Sequence, residues 1–362
     1  MNRGRTILAL GCLFSATVIA LAAPVPPQKA SAVAEKPPRN LAILIFEHVQ
    51  IIDYTGPYET FGHVYSYDQP RPFNIYTVAE TTGPITTAMG MSVNPKYSID
   101  NTPRPDILVV PGGGVNSALN SPKVMKWVKD TAKDSEIVMS VCNGAFILAK
   151  AGLLDGLEAT TTASLIEEFK EAAPKTKVVS DKRFVDNGKI ITTAGLSSGI
   201  DGSLHVVERL YGRGTAEMAA LGMEYNWDPD SKYARAALAD KYLPYRYDVE
   251  SVVTSWIPAA RRGDTERWEN SWTAVSEASA SEILARMETA FSDSRLFARA
   301  PHTRWVRQSG EKSGDSAWSL WKFTDELGNP WEGSARVESV AGRKNSYVVS
   351  VKVSKATLAR SQ

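Results

Sequence analysis

The chain has 362 residues, 43% hydrophobic and 22% charged, with a formal net charge of +1. That length and balance fit a globular protein of one large domain or two ordinary ones. A near-neutral charge with no long basic run gives no case for nucleic acid as a partner.

The first element is a targeting segment. Arg3 and Arg5 precede the apolar run ILALGCLFSATVIALAA, and ALA at 20–22 is a small-x-small cleavage pattern. Residues 1–22 therefore read as a secretory signal peptide, and the expected location is periplasmic or secreted. An uncleaved membrane anchor is the competing reading, since the run is near the short limit for a span. Residues 23–40 read as a Pro/Ala-rich linker without a core-forming pattern. Cleavage near Ala22 would remove Cys12 and leave Cys142 as the mature chain's only thiol. An internal disulfide would then be impossible.

From residue 41 the pattern alternates. LAILIF (41–46) is a short apolar strand, and YTGPYETFGHVY (54–65) is helical in period, opening with a Gly-Pro. FNIYTVAE (73–80) is a strand, and 85–95 resembles a small hairpin. DILVVPGGG (106–114) is a buried strand running into a glycine turn. Residues 121–135 open with Ser-Pro, good chemistry for a helix start. EIVMSV (136–141) is the strand before Cys142. Short strands are expected at 177–180, 183–186 and 189–194, then an amphipathic helix at 197–212. Strands and helices alternating at this spacing predict an α/β fold with a parallel sheet covered on both faces.

Composition changes near residue 227: eight of the nine tryptophans lie from there onward. Residues 279–293 read as a helix. The stretches AWSLWKFTDELGNPWEGSARVESV and NSYVVSVKVSK alternate apolar and polar residues around turns, as an antiparallel meander does. The expectation is a first domain over 41–245 and a smaller α+β accessory domain over 246–362. A decorated extension packed on the first domain is the alternative. The late tryptophans serve either a core or a ligand groove, and strand alternation favours the core.

Cys142 stands between a strand and a helical pattern, SVCNGAFILAKAG. That is the setting of a nucleophile elbow, a side chain held in a tight turn above a sheet edge. Deep burial as a small hydrophobe is the alternative. A free thiol, with a pKa of about 8.5, is only a few per cent ionised at neutral pH. A helix end contributes on the order of 0.5–2 kcal/mol, so a second helper is expected. PGGG lacks the ending of a phosphate loop and the dinucleotide spacing is absent. No cluster has zinc spacing, so neither a cofactor nor a metal is expected.

The run SVCNGAFILAKAGLLDG, with VVPGGG upstream and DNGKIITTAGLSSGIDGSLHVVERLYG downstream, resembles the ThiJ/PfpI family of the class I glutamine amidotransferase-like superfamily. FEHVQIIDYTGPYETF resembles the branch that holds isonitrile hydratases and the sensor domains of some transcription regulators. The resemblance covers about 41–227. It implies a flavodoxin-like three-layer sandwich with Cys142 as the elbow nucleophile. It implies that Asp53, in the first strand-to-helix loop, lies beside the sulfur. It makes the backbone N–H groups of Gly113 and Asn143 the expected oxyanion donors. A helix N-cap is the other role open to Asp53. A homodimer is implied as the family's usual state.

One position departs from the pattern. Many relatives carry a histidine where this chain has Thr162, and a hydroxyl does not take a proton at pH 7 as imidazole does. His48 is the one histidine placed to approach the site through its loop, whereas His63 and His205 lie in helical patterns and His302 lies far along the chain. Three functions follow as expectations. The first is a cysteine-dependent hydratase or hydrolase acting on a small carbon–nitrogen substrate, isonitrile hydratase-like, with Cys142, Asp53 and Thr162 as the working residues. The second is a non-catalytic small-molecule binding or sensing domain. The third is a thiol redox sensor built on Cys142.

Overall fold

The computed structural model describes residues 37–65, 70–229, 231, 234–297, 300, 302–313 and 315–356. The signal-peptide and linker readings for residues before 37 lie outside the described residues. Two hydrophobic cores form, one drawn from Leu41 to Ala220 and the other from Ala239 to Val353.

The first core surrounds a seven-stranded sheet. Its elements in chain order begin with β1 (Arg39–Leu44), α1 (Ile51–Gly62) and β2 (Phe73–Ala79). A small hairpin of β3 (Ile85–Thr86) and β4 (Ser92–Val93) follows, then β5 (Tyr97–Ser98) and β6 (Ile107–Val110). Next come α2 (Asn116–Leu119), α3 (Pro122–Asp134), β7 (Ile137–Ser140) and α4 (Gly144–Lys150). A side ladder of β8 (Glu158–Ala159) and β9 (Lys177–Val178) brackets α5 (Ile166–Ala172). β10 (Phe184–Asp186), β11 (Ile190–Thr193), α6 (Ser198–Tyr211) and α7 (Arg213–Gly222) complete the unit.

The sheet order is β10-β11-β7-β6-β1-β2-β5. All neighbours are parallel except the β10–β11 pair. β6, β7 and β11 are buried at every residue, as strands covered on both faces must be. Each fully buried Leu, Ile or Val there contributes roughly 1.5–3 kcal/mol of burial. α1, α6 and α7 pack together, while α2 to α5 form a second chain of contacts in which α4 touches β6 and β7. This is the three-layer α/β sandwich expected from the sequence.

Sheet order reverses at β1. The chain runs from β1 outward to β2 on one side, and β6 then joins β1 on the other. Open α/β sheets bind ligands outside the carboxyl ends of strands at such a switch point.

The helix expected at 54–65 begins three residues earlier, at Ile51, with Gln50 as its extended N-cap. Asp53 is therefore in the first helical turn rather than in the preceding loop, and Pro57 is inside the helix. The Gly-Pro pair reads locally as a helix start. The loop before it, however, is pinned by long-range bonds: the Gln50 N–H donates to the Gly112 carbonyl at 2.9 Å and the Ala88 N–H to the Val49 carbonyl at 3.0 Å. Pro57 lacks an N–H, so one intrahelical bond, to the Asp53 carbonyl, is forgone.

The second core lies under a six-stranded antiparallel sheet of β12 (Ser255–Gly263), β13 (Arg267–Val275), β14 (Val306–Lys312), β15 (Ser316–Thr324), β16 (Pro330–Ser339) and β17 (Ser346–Lys355). Its order is β12-β13-β17-β16-β15-β14. α8 (Ala280–Ser292) packs against β15 and β16. Ser279 and Glu282 close a capping box at its start. β15 and β17 alternate buried and exposed along their lengths, the meander expected from the sequence. β12 and β13 were not legible: SWIPAARRG groups its apolar residues together instead of alternating them, and carries Pro258. The register slips between Pro258 and Ala260, and β12 lies at the sheet edge, where a proline is tolerated.

Candidate functional site at the sheet switch point

Four adjacent strands, β11, β7, β6 and β1, send their carboxyl ends to one place. β7 runs through Val141 directly into Cys142. The residue has φ +58° and then hands the chain to α4 through Asn143. A left-handed backbone at a non-glycine residue costs about 1–2 kcal/mol, so the surroundings must hold it. The Cys142 N–H donates to the Ala194 carbonyl at 3.1 Å, and the Thr161 hydroxyl donates to the Cys142 carbonyl at 2.9 Å. Six described non-glycine residues have positive φ, and three of them, His48, Cys142 and Leu196, sit on loops around this site. Such clustering is characteristic of functional loops.

Asp53 is wholly buried. Its Oδ2 accepts from the Gly112 N–H at 3.1 Å and its Oδ1 from the Leu196 N–H at 3.2 Å. Its carboxyl also hydrogen-bonds the Cys142 thiol. Burial pushes the carboxyl pKa up to about 6, against the three hydrogen bonds that favour the ionised form. The thiol is pushed up to about 12, first by burial and then by the Asp53 charge. The Asn143 N–H and the Thr162 hydroxyl, both bonded to the sulfur, oppose that rise. Between those two values the pair holds one proton. Burial and the Asp53 charge both oppose the free thiolate that an isolated elbow would favour.

This state is directly testable. In a Cys12→Ser background, alkylation of Cys142 by iodoacetamide should keep accelerating past pH 9, where a free thiol levels off. A plateau below pH 8.5 would show a thiolate instead.

The two amides implicated by the family resemblance are both engaged. The Gly113 N–H donates to the Asn143 Oδ1 at 2.7 Å, and the Asn143 Nδ2 returns a bond to the Gly113 carbonyl at 2.9 Å. The Asn143 N–H points at the sulfur. Gly113 has φ +113°, and an added Cβ would lie 2.4 Å from the Gln50 nitrogen and the His48 carbonyl oxygen. Only glycine fits there.

Thr162 does reach the sulfur. His48 is exposed, with its carbonyl accepting the Gly114 N–H at 2.7 Å. His63 caps the end of α1, His205 pairs with Asp186 at 2.8 Å, and His302 is exposed. Glu59 faces solvent. Sequence reasoning missed Gly112 and Leu196, which hold Asp53. PGGG marked a close approach without saying which glycine faces the acid, and nothing in a leucine announces a left-handed turn. Among the described residues, no group of three or more His, Cys, Asp or Glu is placed to hold a metal ion.

Three known proteins illustrate what the chain is similar to. Isonitrile hydratase from Pseudomonas putida is 29% identical over 188 residues, covering 51% of this chain and 78% of that protein. The HTH-type transcriptional regulator CdhR from Pseudomonas aeruginosa is 30% identical over 130 residues, covering 36% of this chain and 38% of the regulator. A crystal structure of a ThiJ/PfpI family protein from Pseudomonas syringae aligns at 28% identity and a TM-score of 0.48, covering 57% of this chain and 84% of that one. The DJ-1/PfpI family pattern matches residues 39–209, which include Asp53, Gly113, Cys142 and Thr162, and this segment of the chain is a DJ-1/PfpI family domain.

Proposed function

We propose that the chain is a cysteine-dependent hydratase acting on a small carbon–nitrogen substrate, with an isonitrile as the best-fitting class. The reading is carried by the buried Asp53–Cys142 pair, which shares one proton at the switch point. The similarity to isonitrile hydratase supports it.

Acyl transfer fits less well. It needs free N–H donors for an oxyanion and a base that can later act as an acid. Here both candidate amides are engaged, and the histidine position is Thr162. An isonitrile carries no oxygen, so the first addition builds no oxyanion. Sulfur adds to the terminal carbon while its proton passes through Asp53 to the same carbon, giving R–N=CH–S–Cys142. Water then adds across C=N, placing a proton on nitrogen. Collapse of that adduct breaks the C–S bond and returns the hydroxyl proton to sulfur. The product is R–NH–CHO and the thiol is restored. Thr162, donating to sulfur, stabilises the charge that gathers there.

Conversion of an alkyl isonitrile to its formamide, followed by chromatography, tests the reading. Asp53 must be ionised to accept the thiol proton, and its carboxyl is raised to about 6. Activity should therefore climb about tenfold per pH unit below 6 and level off above 7. Asp53→Ala should lower it by at least about 100-fold. No formamide from a panel of isonitriles, or activity indifferent to Asp53, would overturn the proposal.

A non-catalytic sensing role is the second reading, favoured by the similarity to the regulator CdhR and by Thr162 in place of histidine. It requires ligand affinity to survive Cys142→Ser. For location, we propose export, on the signal-like residues 1–22.

A further inference from the structure

The second core carries a cleft of about 400 Å³ that is separate from Cys142. It opens between the segment 235–253 and the strands β12 and β13. One wall is aromatic. The rings of Trp256 and Trp272 stack with centroids 5.0 Å apart at 28°, and Tyr247 meets Trp272 edge-on at 5.4 Å. Three arginines line the cleft. Two are committed, Arg235 to Asp240 and Arg246 to Asp248. Arg261 has no ion pair or hydrogen bond among the described residues.

Tyr247 supplies an independent observation. Its residue is 5% exposed, and its buried hydroxyl has no hydrogen-bond partner among the described residues. Leaving such a group unsatisfied is costly, and native structures hold few of them. The Arg261 charge acts on this phenol. A hydroxyl donor and a guanidinium fork acting on one region suit a planar, singly charged anion. Glu250 lines the same cleft without an ion pair among the described residues, so a second negative charge on the ligand is opposed.

We propose that this cleft binds a small aromatic carboxylate. The ring lies against the Trp256–Trp272 wall, the carboxylate accepts from Arg261, and the ligand displaces the packing over the buried Tyr247 hydroxyl so that it donates to the same carboxylate. The volume suits a single-ring acid. A merely structural role for the tryptophans explains the packing of Trp272 but leaves the orphaned hydroxyl and the unpaired guanidinium without a purpose.

Isothermal titration of the full chain with 3-phenylpropionate, 3-phenylpropionamide and 2-phenylethylamine tests this, since the three share a ring and differ in charge. The carboxylate should bind at least tenfold tighter than the amide, and the amine weakest. Arg261→Gln should cut carboxylate affinity about tenfold while leaving the amide unchanged. Tyr247→Phe should cut it about threefold, and Glu250→Gln should raise it. Arg261 and Glu250 are exposed, so both variants are expected to fold, with circular dichroism as the check. Carboxylate binding should persist in Cys142→Ser, which separates this site from the first. The proposal is overturned if none of the three binds, if the amide or amine matches the acid, if Arg261→Gln leaves affinity intact, or if Cys142→Ser abolishes binding.

Discussion

Cys142→Ser should reduce isonitrile hydration by at least about a thousandfold without unfolding the protein. The reason is the proton inventory. The hydroxyl of serine is a far weaker acid than a thiol and needs a strong adjacent base. Among the described residues, the acceptor bonded at this position is the Asp53 carboxylate, whose pKa of about 6 makes it a weak base toward an alcohol. No imidazole stands by, since Thr162 occupies that position and donates rather than accepts. Serine keeps the shape of cysteine, so the bonds to Ala194 and Thr161 and the left-handed turn should persist. A melting curve close to the parent's, with turnover gone, is the expected pair of measurements. Activity within tenfold of the parent would show that another group attacks the substrate.

Gly144→Ala carries the largest expected effect on stability. Gly144 opens α4 directly after the elbow. A Cβ there would meet the Val110 carbonyl oxygen at 2.1 Å and the Pro111 carbonyl oxygen at 2.7 Å. Those atoms belong to the end of β6 and its glycine turn, so neither can step aside without shifting the sheet edge. Overpacking of this kind costs roughly 1–3 kcal/mol, occasionally more. We expect about 3 kcal/mol, read as a fall of roughly 5–10 °C in the main thermal transition. Activity should fall as well, because α4 fixes the direction of Cys142. Gly214→Ala is the control: it lies in α7 with nothing within 4 Å of the added Cβ, and should be neutral or slightly stabilising. Equal losses from the two substitutions would refute the argument from close approach.

The two effects arise on one short stretch, and their legibility differs. Cys142 stood out because a strand pattern and a helix pattern abut on it. Gly144 did not, since the atoms that exclude a side chain there come from β6, more than 30 residues earlier. Asp53 shows the same division. Its acidity and its place near the first helix were readable. Its position inside the first turn was not, because the Gly-Pro pair suggested a later start and the bonds that pin the loop are long-range. β12 was hidden for another reason: an edge strand buries little and so need not alternate.

The sequence by itself determined the alternation of β1 through α6, the meander at the C-terminal end and the junction that presents Cys142. These follow from local hydrophobic period and turn chemistry, which act over a few residues. Only the tertiary structure decided that Asp53 and Cys142 share a buried proton. Burial raises both the thiol and the carboxyl, and burial is a property of the packed layers rather than of any neighbouring residue. The same holds for the occupied Gly113 amide and for the orphaned Tyr247 hydroxyl, since a hydrogen-bond partner 30 residues away, or none at all, leaves no mark on the local sequence.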